Sequence, residues 1–176
     1  MSALALTLWI ALGATTEAAP AKGLPLDPRA VAEPGWTLDP GPLPVGLVAL
    51  AVGPEGRGGR PALAFAVLGE DAIPDFGAVN TEARLLEAVR TASQSAQLEA
   101  VEVRLEAVEG AEGAVTEIAG TVQARDGPPR RVRFFVVRGG PPLLLTLVAP
   151  KSSEEALSRA LRRRLVAALG PSTKRR

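Results

Sequence analysis

Two Gly-Pro-Pro turns thirteen residues apart, at 127–129 and 140–142, constrain this chain more than any other feature. Each halts a regular element and turns the chain, and each is flanked by strand-forming runs. Before the first, Ile118, Gly120, Val122 and Ala124 alternate with Glu117, Ala119, Thr121, Gln123 and Arg125. That period of two marks a strand with one buried and one mixed face. Val132-Arg133-Phe134-Phe135-Val136-Val137 lies between the turns, and Leu143-Leu144-Leu145-Thr146-Leu147-Val148 follows the second. The spacing predicts an antiparallel meander. The last run is apolar at successive positions, so both of its faces must be covered.

One cover follows at once. Ser152-Ser153-Glu154-Glu155 reads as a capping box, with Ser152 as the cap and Glu155 three residues on. Leu157, Leu161, Leu165 and Leu169 recur every four residues along one face, and Gly170-Pro171 ends the helix. A second helix is expected from Asn80 or Thr81 to about Ser93, with Leu85, Leu86 and Val89 on its apolar face.

Nearer the N-terminus, Val45–Val52 and Ala62–Leu68 flank a Gly-rich connection and predict a β-hairpin. A phosphate loop would need a helix directly after the glycines, which Pro61 and the following strand pattern deny. Leu98–Val108 fits both periods: Val101, Val103 and Leu105 alternate, while Leu98, Val101, Leu105 and Val108 share a helical face. The turn signal at 109–113 and the strands beyond it favour a strand. Residues 20–44 hold seven prolines, which predict an extended arm pinned by Trp36, with Trp36-Thr37-Leu38 adding a short edge strand.

These elements make one α+β domain over 45–170: a central antiparallel sheet with a helix on each face, a three-layer α/β/α sandwich. The order resembles the PsbP/DcrB-like group, over roughly Trp36–Leu169. The carrying residues are the meander IAGTVQARDGPPRRVRFFVV, the strand LLLTLVAP and the helix SSEEALSRALRRRLVAAL. The resemblance implies protein or small-ligand binding rather than catalysis. The chain departs from the group's envelope lipoproteins in having no lipid-bearing Cys, and it has no His for metal.

The chain contains no His, Cys or Tyr, which removes the ordinary general bases, thiolate nucleophiles and soft metal ligands. No cofactor or metal site is expected. Residual catalytic cases are weak. Glu70, Asp71 and Asp75 could serve a carboxylate-dependent hydrolase but lack regular ligand spacing, and solvated loop acids are common. Lys151 beside Ser152 could form a Ser–Lys pair, although capping already accounts for Ser152.

Charge is unevenly placed. Residues 70–126 hold twelve acids and four bases, net −8, whereas 127–176 hold twelve bases and two acids, net +10. Mutual compensation between neighbouring elements is the favoured explanation, and separate docking surfaces the alternative. Arg159, Arg162 and Arg163, with Arg164 and the tail Lys174, Arg175 and Arg176, form the basic cluster. Nucleic-acid binding would add stacking aromatics, which are missing, so an acidic protein or anionic surface is the expected partner.

Leu4–Ala14 is an uncharged run that fits the apolar region of a secretory leader and is too short to span a bilayer. Cleavage is expected near 18 or 21, although no Lys or Arg precedes the run, and a buried N-terminal element is the alternative. A basic tail occupies 171–176. The reading is an exported, non-enzymatic binding module of the bacterial envelope, periplasmic or secreted, without an integral membrane domain after leader cleavage. An uncleaved leader would instead act as a tether. A cytoplasmic adaptor for a secreted effector is the alternative, and it needs an exposed apolar sheet face including Phe135 and Val137.

Overall fold

The computed structural model describes residues 24–43, 47–56, 59–67, 98–124, 130–138 and 142–170, with side chains described for all of these except 98–103, 122–124 and 130–132. The leader-like run, the expected helix at 80–93, the acids at 70–75 and the basic tail lie outside the described residues.

Among the described residues seven strands form one antiparallel sheet: β1 (Thr37–Leu38), β2 (Leu47–Val52), β3 (Ala62–Val67), β4 (Leu98–Ala107), β5 (Val115–Ala124), β6 (Arg130–Val137) and β7 (Leu143–Val148). Their spatial order is β1-β2-β3-β7-β6-β5-β4. The meander predicted around the two Gly-Pro-Pro turns is β5–β6–β7, and the ambiguous stretch is the strand β4. β2 and β3 pair as the expected hairpin, and β1 adds to its edge. Strand pairing decided the ambiguous case: β5 offers β4 a partner along nearly its whole length, which a helix there could not use.

One helix, α2 (Glu154–Leu169), packs across the face carrying Leu63, Phe65, Phe135, Val137, Leu143, Leu145 and Leu147. Leu161 and Leu165 are its buried contacts, while Leu157 and Leu169 pack at the margin. The leucine stripe is as expected; the cap is not. The helix starts one residue later, on Ser153, whose side chain makes no capping bond and donates instead to the Pro150 carbonyl at 3.3 Å. Ser152 is exposed, and Glu155 pairs with a sheet arginine rather than reaching back to the cap. Gly170, at φ 74°, ends the helix in a conformation that a side chain would strain.

The opposite face carries Leu50, Ala64, Ile118, Phe134, Val136, Leu144 and Thr146, all buried. Both faces of β7 are therefore covered, as its unbroken apolar run requires.

The proline-rich segment is not extended throughout. Pro28–Val31 forms one helical turn, α1, because a proline at the first helical position sacrifices no hydrogen bond. Asp27 caps it, accepting from the Arg29 backbone N–H at 2.9 Å. Leu26 and Val31 enter the core, and Glu33 binds Arg164 of α2 at 2.5 Å. Trp36 then lies over Gly53: a Cβ added there would come within 2.8 Å of the indole and of the Pro61 ring. Gly53→Ala should therefore lift Trp36 and cost about 1–3 kcal/mol. In a Trp9→Phe background, the emission of Trp36 should shift to longer wavelength as the ring meets water. An unmoved spectrum at wild-type stability would contradict this packing.

Candidate functional site: an arginine-rimmed groove

β5 and β6 alternate their side chains across the sheet, so Glu117, Arg133 and Phe135 all point to the α2 face. The face changes character along its width. Over β3, β7 and the end of β6 it is apolar; over β4 and β5 it is ionic. α2 matches that division with two stripes: Leu157, Leu161 and Leu165 beside Glu154, Ser158 and Arg162.

Glu117 is fully buried. Its carboxylate accepts from Arg133 Nη1 at 2.6 Å, from Arg162 Nε at 2.5 Å and from Ser158 Oγ at 3.4 Å. Arg133 holds three acids at once: Nε to Glu154, Nη1 to Glu117, and Nη2 to Glu155 at 2.6 Å. Burial alone would disfavour the charged Arg133, but the hydrogen bonds and charges of Glu154 and Glu117 outweigh it and raise its pKa. The hydrogen bond to Glu117 raises that of Arg162, against a smaller opposing effect of burial. Both guanidiniums thus stay charged at any pH the fold meets. The acidic middle of the chain and its basic end compensate each other here, as the favoured account of the charge asymmetry expects.

Arg162 continues outward from this cluster. Its Nη2 reaches Glu106 on β4 at 3.3 Å, a longer contact with a carboxylate that is half exposed. Beyond it opens a groove of about 720 Å³ between α2 and the end of β4, lined by Ala107, Val108, Glu109, Ala156, Val166 and three arginines: Arg159, Arg162 and Arg163. Arg159 and Arg163 are exposed and have no carboxylate partner among the described residues. The structure thus brings the three predicted arginines to one recess with a mainly apolar floor.

Phe135 and Val137 belong elsewhere. Both are fully buried beneath α2, so neither offers a surface to a partner. The reason is register: Phe135 sits between Glu117 and Leu145 in the pairing, on the face that α2 covers. The ionic cluster, by contrast, escaped the sequence reading. Its signal was present, since Arg133 shares the period of Phe135 and Val137. An arginine on a core face demands buried acids.

Among the described residues no helix is long and apolar enough to cross a membrane. No family model matches the chain, and no curated protein does. Among solved structures, the solution structure of cyanobacterial PsbP (CyanoP) from Synechocystis sp. PCC 6803 is similar at 14% identity, with a TM-score of 0.47, covering 86% of this chain and 96% of that one.

Proposed function

We propose that this chain is an exported, non-enzymatic binding module, an envelope accessory or assembly factor that docks an acidic polypeptide segment in the groove between α2 and β4. The observation that carries this reading is the pair of guanidiniums, Arg159 and Arg163, which have no carboxylate partner among the described residues and flank Arg162 over an apolar floor. Unpaired arginines in a recess attract carboxylates and bind them in a directed, two-pronged geometry. A polypeptide fits better than a bilayer surface, because the floor is set back between a helix and a strand, where a chain can enter and a planar membrane cannot. The leader-like Leu4–Ala14 supports export.

The test uses a fluorescein-labelled peptide alternating Glu with Val. Arg159→Glu combined with Arg163→Glu should weaken its binding by about tenfold or more. The thermal midpoint should change little, since both side chains are exposed. Equal binding by wild type and double variant would refute the groove as the docking site. Export is tested separately by mass spectrometry of the cell-fractionated protein, where an intact Met1 end would sink it.

A further inference from the structure

Resting on that reading, we propose that Glu106 is an internal occupant of the groove's carboxylate site, and that the acidic side chain of a bound polypeptide takes its place on Arg162. The two sides of the Arg162 guanidinium are held very differently. The Nε side is fixed by buried Glu117 at 2.5 Å. The outer side is only lightly engaged: Nη2 meets Glu106 at 3.3 Å, and Nη1 carries no bond among the described residues. Glu106 and Glu117 are also direct cross-strand partners, with their side chains on one face. Like charges in that position repel, and Arg162 between them is what makes the arrangement tolerable. A carboxylate arriving from outside can replace Glu106 without disturbing the Nε–Glu117 bond. Glu106 is then free to swing into solvent, which it already half faces. Glu117 is the positioning residue in this scheme: it holds the fork of Arg162 towards the groove between Arg159 and Arg163.

Glu109 provides the control, because it also lines the groove and carries the same charge but binds no arginine among the described residues. Glu106→Gln should bind the Glu–Val peptide about two- to fivefold more tightly, the gain expected from removing an exposed competing ion pair. Glu109→Gln should gain distinctly less. Equal gains in the two variants would overturn the exchange, since they would report only the general loss of a negative charge; so would no gain in Glu106→Gln. In either case docking itself would stand, provided that the peptide binds wild type and is lost with the Arg159 and Arg163 reversals. Absence of binding to wild type and to Glu106→Gln alike would overturn both readings. Vesicles of phosphatidylglycerol and phosphatidylcholine form the second arm: binding to them, in place of the peptide, with the same dependence on Glu106 would overturn the polypeptide as the ligand.

Discussion

Arg133→Met should destabilise the protein by about 3–5 kcal/mol, an effect of the size seen when one partner of a buried ionic set is removed. Arg133 is the common cation of Glu117, Glu154 and Glu155. Without it, Glu117 and Glu154, with side chains 1% and 5% exposed, lose their shared guanidinium beneath α2, and Glu117 keeps Arg162 and the Ser158 hydroxyl. Glu155 loses little, because its side chain is 55% exposed and water replaces the arginine. Urea denaturation measures the change, read at constant m-value. The triple variant Arg133→Met, Glu117→Leu, Glu154→Leu should regain most of the loss, since apolar residues of similar volume often replace buried ion sets at no cost. A single-variant loss below about 1 kcal/mol would show that water reaches these groups and that the cluster does not dock the helix.

Phe135→Ala should cost about 3–5 kcal/mol, because truncating a buried aromatic removes its transfer energy and leaves a cavity. The ring is fully buried between the paired positions of β5 and β7 and lies under α2. An exposed docking residue would behave differently, with a change within about 0.5 kcal/mol and an effect only on binding. The same denaturation curve therefore separates a core role from a docking role. A stability loss under about 1 kcal/mol would return Phe135 to the surface.

Most of the sheet was legible because its signals are local. The turns at 127–129 and 140–142, the alternation of β5 and the unbroken apolar run of β7 each need only neighbouring residues to be read. The leucine stripe of α2 is equally local. What escaped required two elements at once. The sequence shows Glu154 and Glu155 at a helix start, where capping is the usual role for an acid. Only the sheet beneath supplies Arg133, and that pairing outweighs the cap. Likewise, Pro28 reads as a helix breaker until Asp27 is seen capping a single turn. Arg159, Arg162 and Arg163 were legible as a basic cluster, but their roles were not: one is anchored by Glu117, and two have no carboxylate partner among the described residues. Phe135 and Val137 were misjudged because two adjacent aromatics, Phe134 and Phe135, leave open which face of a strand is covered, and here both are buried.

The position of β7 has a consequence in time. It is the last strand among the described residues, yet it sits in the middle of the sheet, between β3 and β6. Until residues 143–148 are made, β3 and β6 each lack the neighbour that β7 supplies, which leaves their facing edges unpaired. The β3 edge is adhesive, since all six of its residues are destined for burial. The sheet can therefore close only once residues 143–148 have been made, and the β3–β7 pairing that closes it is among the most distant in sequence. For as long as the strand is being made, the chain stays open to any factor that grips unpaired edges, and a transport apparatus that needs an unfolded polypeptide would meet it in that state.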